Sequence, residues 1–177
     1  MNIPKKTHNL VLGSIIAALY VALTYSQEAL LPGTTSMAVQ FRLSEALTLL
    51  AVFTPAAIPG LTVGCVIANL ISLSALPVDT LFGSAATLLA ALCMYKLRNV
   101  TFRGMPLLSA IMPAIFNGII IGLEIEIFFI EGSFHFSSFI IQCATVALGE
   151  LVVCLTAGLM LVKIIRNKNL EKYLKSL

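Results

Sequence analysis

Apolar residues in this chain come in long runs broken by short polar punctuation, and the runs have helical lengths. A helix that crosses a hydrocarbon core needs about 20 residues at 1.5 Å each. Leu10–Ala29 fits and predicts a first helix. Pro32-Gly33-Thr34-Thr35-Ser36 cannot continue it, so about residues 30–40 form a loop. The next run, about Phe41–Phe53, is short for a full span. Pro55 and Pro59 break the backbone, which restarts over about Ala57–Leu73. Pro77 and Asp79 mark the start of a fourth helix that reaches about Tyr95. Beyond the basic segment Lys96–Arg103, runs over about Pro106–Phe129 and Ser138–Ile165 predict a fifth and a sixth helix. The pattern predicts an all-α membrane protein, one compact bundle of six transmembrane helices forming a single domain over residues 1–177.

Charge orients this bundle. Lys5 and Lys6 precede the first helix, Lys96, Arg98 and Arg103 separate the fourth from the fifth, and Lys163, Arg166, Lys168, Lys172 and Lys175 close the sixth. With six spans all three clusters fall on one side, which the positive-inside rule makes cytoplasmic, with both termini. Arg42 is the one basic residue left over. Glu28, Glu45, Asp79, Glu124, Glu126 and Glu131 map to the opposite ends or loops, and Glu150 falls near the middle of the sixth helix. Glu28 and Glu131 read as solvated. Glu45, Asp79, Glu124 and Glu150 come from four helices and are placed to converge on one outward-opening cavity.

Composition agrees with the membrane reading. The chain is 59% hydrophobic and 11% charged, with a mean hydropathy of +1.00, whereas a soluble domain is roughly 25% charged. Cys65, Cys93, Cys143 and Cys154 all sit in apolar runs without CxxC spacing and read as small buried hydrophobes. His8 and His135 are isolated, so no metal site is expected. There is no GxxxxGK[ST] phosphate-binding loop for ATP and no nucleophile–His pairing. No cofactor is expected.

The polar residues inside apolar runs carry the candidate chemistry. Arg42 and Glu45, three apart, share a helix face and can pair, with Gln40 beside them. Glu150 near midplane costs about 2.5–3.5 kcal/mol on insertion scales. Its helical neighbours Cys143, Val146, Ala147, Val153, Cys154 and Ala157 offer no partner, so one must come from another helix or a ligand. Asn117 and Glu124 lie two turns apart on one face, and Asn69 and Gln142 add amides. Together these groups suit a flat heterocycle with several N–H groups, because carboxylates accept N–H pairs and amides offer both polarities. Phe41, Phe82, Phe116 and Phe128 are candidates to stack on it. Ser14, Ala18 and Ala22 form a small-residue stripe that permits close helix approach, from a partner or within the chain; Gly60–Gly64 and Gly118–Gly122 repeat the device and read as internal packing.

VQFRLSEAL, TPAAIPGLTVGCVIANL, DTLFGSAATLLAA, PAIFNGIIIG and ALGELVVCLTAG together make the chain resemble the QueT family, substrate-binding (S) components of energy-coupling factor transporters. The resemblance covers nearly the whole chain. It implies six helices, a site near the outer face beneath the loop between the first two helices, and capture of a 7-deazaguanine queuosine precursor, preQ1 (7-aminomethyl-7-deazaguanine) or queuine. It also implies partners: a transmembrane T subunit, two cytoplasmic ATPases and the lipid bilayer, with no direct nucleic-acid contact. The Ser14–Ala18–Ala22 stripe matches the surface such components present to the T subunit. Chemistry then assigns the base edge to Glu45 or Glu150 and the 7-substituent amine to Asp79 or Glu124. Arg42 orients Glu45 or meets the O6 acceptor, with Gln40, Asn69, Asn117, Gln142 and Phe82 completing the site. The expectation is a non-enzymatic capture protein of a prokaryotic plasma membrane. Its competitors are an S component for another vitamin-like nutrient, a stand-alone secondary carrier, and a small intramembrane enzyme using Glu45, Asp79 or Glu150 as acid or base.

Overall fold

The computed structural model describes residues 4–32, 34, 41–72 and 76–174. They fold into helices: α1 (Lys5–Leu30), a 3₁₀ helix (Leu43–Val52), α2 (Ala57–Ile71), α3 (Pro77–Lys96), α4 (Leu107–Phe128), α5 (Phe136–Val153), a π turn (Cys154–Gly158), α6 (Leu159–Asn167) and the single turn α7 (Glu171–Leu174). Four stretches are long and apolar enough to cross a membrane: Lys5–Leu30, Pro77–Lys96, Leu107–Phe128 and the continuous Phe136–Asn167. The 3₁₀ helix and α2 are shorter apolar helices between them.

The expected second helix is therefore wound as 3₁₀ over 10 residues, where such runs seldom exceed 3–4 residues. At about 2.0 Å per residue, against 1.5 Å in an α-helix, it reaches about 20 Å and recovers part of the length that the segment lacks. Its surroundings permit this. Ser44 through Val52 are all buried, and the segment touches α1, α2, α3, α4, α5, α6 and the π turn. Neighbours along the chain, α1 with α2 through α4 with α5, pack on each other and together enclose the 3₁₀ helix as the axis of the bundle.

Local sequence explains the joints. Pro55 lies in the turn after the 3₁₀ helix, where the Thr54 hydroxyl accepts the Ala56 N–H at 3.3 Å. Pro59 falls in the first turn of α2, whose N–H groups lack intrahelical partners anyway. Pro77 opens α3, and the Asp79 carboxylate accepts the Leu76 N–H at 2.6 Å to cap it. Arg103 and Gly104, at φ 50° and 77°, close the turn between α3 and α4, with Phe102 and Met105 exchanging hydrogen bonds across it.

Both glycine pairs serve packing within the chain. A Cβ on Gly60 would lie 2.6 Å from the Gly13 carbonyl oxygen, and one on Gly64 would lie 2.9 Å from the Tyr20 Cβ, so α1 and α2 approach backbone to backbone. Gly118 and Gly122 admit Ala147 and Cys143 of α5 in the same way. On α1 the face turned to α2 is Gly13, Ile16, Ala17 and Tyr20, which leaves Ser14, Ala18 and Ala22 on the outside. There they line a groove of about 670 Å³ with Val63, Ile67 and Ile71 of α2.

Candidate functional site

The alternating helix directions bring polar groups from six elements together at the N-terminal half of the 3₁₀ helix. Arg42 precedes that helix in extended conformation, φ −103° and ψ 102°. In a 3₁₀ helix residues three apart eclipse one another, so Glu45 and Thr48 form one column, and the extended Arg42 leads into it. Glu45 is 1% exposed. Its Oε1 accepts a hydrogen bond from the Tyr20 hydroxyl of α1, and its carbonyl accepts from Thr48 Oγ1 at 2.5 Å and, more weakly, from Cys154 Sγ of the π turn at 3.8 Å.

Arg42 is the hub. Its guanidinium lies within the field of Glu45 and Glu150 and of Glu124, although among the described residues the expected Arg42–Glu45 pair does not close to an ion pair within 4.0 Å. Gly83 of α3 lies beside it: a Cβ there would stand in ordinary contact with Arg42 Nη1 at 4.0 Å but 3.0 Å from Asn69 Nδ2, so the glycine makes room for the Asn69 amide. Glu150 of α5, 2% exposed, lies beside the Asn117 amide of α4. Glu124 of α4 and Asp79 of α3 place their carboxyl groups against each other. Two carboxyl groups in contact disfavour each other's charge and favour a cation between them.

Other predicted residues take supporting positions. Asn69 of α2 donates to the Asp79 carbonyl at 3.2 Å and to Cys65 Sγ at 3.6 Å, fastening α2 to α3. Asp79 spends one carboxylate oxygen on the α3 cap described above. Phe82 sets its ring edge-on to Phe128, centroids 5.8 Å apart at 71°. Gln142 is half-buried on α5, and among the described residues no side-chain hydrogen bond links it to the others. Gln40 and most of the predicted lid over residues 30–40 lie outside the described residues.

One feature sets the cluster apart from an ordinary buried network. Arg42 Nε, Glu45 Oε2, Glu124 Oε1 and Glu150 Oε2 are buried with no hydrogen-bond partner among the described residues, and, unlike the unpaired His8 Nδ1, Asn9 Oδ1 and Glu126 Oε2, they gather in one place. Unpaired buried polar atoms each cost about 1–3 kcal/mol, more when charged, and the large majority of buried side-chain polar atoms in native proteins have partners. An unpaired guanidinium nitrogen with three unpaired carboxyl oxygens in its neighbourhood leaves donor and acceptor capacity for a ligand.

Sequence reading missed the α1 side of this arrangement. Tyr20, Thr24 and Gln27 form a polar stripe at helical spacing. Thr24 donates to Ser44 Oγ at 2.8 Å. Gln27, 5% exposed, donates from Nε2 to the Phe41 carbonyl and accepts the Leu43 N–H at 2.8 Å, filling the cap that the 3₁₀ helix lacks. That spacing, four then three residues, was the available signal. Glu28 also departs from the solvated reading, since its Oε1 accepts from Ser72 Oγ at 2.7 Å. Glu126 of α4 accepts the His135 N–H at 2.9 Å and so braces the start of α5.

Comparison with known proteins adds an independent line. A sequence-family model described as "QueT transporter" matches residues 10–167. The protein described as "Queuosine precursor transporter QueT" from Lactococcus lactis subsp. cremoris (strain MG1363) is 38% identical over 86 residues. That match spans 47% of this chain and 47% of the relative, so it reaches about half the relative's length. No solved structure matches.

Proposed function

Because the chain belongs to the QueT transporter family, and with its long apolar helices is a multi-pass protein of a prokaryotic cell membrane, we propose that it is the substrate-capturing S component of an ATP-driven importer for a queuosine precursor. The relative's name supports the substrate class. The observation that carries the reading is the set of unpaired buried atoms on Arg42, Glu45, Glu124 and Glu150. A 7-deazaguanine offers an N1–H and an exocyclic amine side by side, which one carboxylate accepts as a pair. Glu45 or Glu150 fills that role. Arg42 between them meets the O6 acceptor with its donors. The 7-aminomethyl group of preQ1 is a cation, and the Asp79–Glu124 pair is where the site favours one. Queuine, bulkier at the same position, places its substituent there by volume.

The protein then works by capture and hand-over without bond making or breaking. Energy comes from two ATPase subunits through a T subunit that docks on the outer face of α1. Purified protein titrated with 7-aminomethyl-7-deazaguanine and with queuine is expected to bind at least one at micromolar concentration or tighter. Binding of neither would overturn the substrate assignment, and a different nutrient co-purifying with the protein would redirect it.

A further inference from the structure

At the opposite end of the bundle a second cavity, of about 450 Å³, opens between the end of the 3₁₀ helix, the end of α3 and α6. Arg98, Arg166, Tyr95, Asn99 and Phe53 line it, with Glu171 at one edge. Apart from Arg42, every described Lys and Arg lies toward this end, and Glu171 is the sole carboxylate there among the described residues.

Both guanidiniums are held by the fold. Arg98 stacks on the Tyr95 ring, 4.0 Å from its centroid, and donates Nη1 to the Tyr95 carbonyl at 2.8 Å. Arg166 lies over the Phe53 ring, 5.9 Å from its centroid, donates to the Gly104 carbonyl of the left-handed turn, and sets Nε 3.6 Å from Glu171 Oε1. A guanidinium carries five N–H donors, so each arginine keeps donors beyond those contacts. Two oriented guanidiniums with spare donors, plus the Asn99 amide, make an acceptor-rich oxyanion the complementary guest.

The chain next to the cavity specifies the rest of the ligand. Val100 follows the lining residue Asn99, and Phe102 sits on the turn gripped by Arg166; they are 50% and 63% exposed. A free inorganic anion has no use for exposed apolar side chains beside its site, whereas an amphiphile does. The positive-inside tendency puts this end at the inner leaflet, where anionic lipids reside. We propose that this cavity is a binding site for the phosphodiester headgroup of an anionic phospholipid, with Arg98 and Arg166 on the phosphate and Val100 and Phe102 against the acyl chains.

The test uses delipidated full-length protein in neutral detergent, with native mass spectrometry and thermal unfolding as readouts. Phosphatidylglycerol should be retained about tenfold more tightly than phosphatidylcholine and should raise the unfolding midpoint. Arg98→Gln should lose about tenfold, the effect of one charge-assisted hydrogen bond, without changing precursor binding at the far site. Asn99→Asp, which adds a negative charge to the cavity, provides a second variant should Arg98→Gln unfold, and is expected to abolish the preference. Equal retention of the two lipids, or a preference that survives the folded variants, would overturn the proposal. So would inorganic phosphate at millimolar concentration matching the lipid's stabilisation, because the site would then be one for a free anion.

Discussion

Glu45 is held on one oxygen by the Tyr20 hydroxyl and leaves the other buried and unpaired. The first half of that arrangement is structural and the second is available to a ligand, and substitution can separate them. Tyr20→Phe removes a donor without opening space, leaves Glu45 Oε1 buried without its partner, and is expected to cost about 1–3 kcal/mol in thermal unfolding. Glu45→Gln and Glu150→Gln keep the shape and remove charge. Each is expected to weaken precursor binding by about 1.5–3 kcal/mol, roughly 10- to 150-fold by titration. Unchanged affinity would take that residue out of the site. The same residues show what a sequence can reveal here. A carboxylate in the middle of an apolar run advertises itself because its burial is expensive, so Glu150 and Glu45 stood out. Tyr20, Thr24 and Gln27 carry no charge, and each alone is an unremarkable polar residue in a membrane helix. Their role depends on which face of α1 meets the 3₁₀ helix, and that is decided by contacts distant in sequence.

Among the elements, the long runs were legible because a bilayer imposes their length; the four longest predicted helices appear with ends shifted by a few residues. The winding of the short one was not. Ten residues cannot separate a period of 3.0 from 3.6, and the choice depends on the packing that surrounds the segment on all sides. The π turn after Glu150 escaped for the same reason: nothing in CLTAG announces it, and it exists where α5 meets the 3₁₀ helix. Glycine positions give a test at this scale. Gly60→Ala forces its new methyl to 2.6 Å from a backbone oxygen of α1, so two helices must part, with an expected loss of about 1–3 kcal/mol. Gly158→Ala meets the Leu49 side-chain methyl at 2.8 Å, the end of a side chain and not backbone, so its loss in the same unfolding assay should be smaller.

For the molecule as a whole, the two faces of α1 divide the labour. Its inner face carries the hydrogen bonds to the 3₁₀ helix, and its outer face presents Ser14, Ala18 and Ala22 to whatever lies alongside in the bilayer. A bulky group on the outer face should therefore block assembly without disturbing capture. Ala22→Phe is expected to bind the precursor with unchanged affinity yet to lose most uptake in cells that supply the T and ATPase subunits; retained uptake would detach this groove from partner docking. Membership of the family and the all-helical bundle were within reach of the sequence. The axial position of the segment carrying Arg42 and Glu45 was not, because hydropathy reports how apolar a run is and not whether lipid or protein surrounds it.

That axial 3₁₀ helix also makes chain length itself a determinant of the site. With three residues per turn and about 2.0 Å of rise, deleting one residue between Ala46 and Val52 would turn Arg42 and Glu45 by about 120° relative to the Pro55 anchor, swinging them away from Glu150 and Tyr20. Deleting three would restore their direction but draw them about 6 Å along the axis. Substitutions can be absorbed in this segment wherever volume is kept, whereas insertions and deletions cannot, so the spacing between Glu45 and Pro55 is as much a part of the proposed site as the side chains it positions.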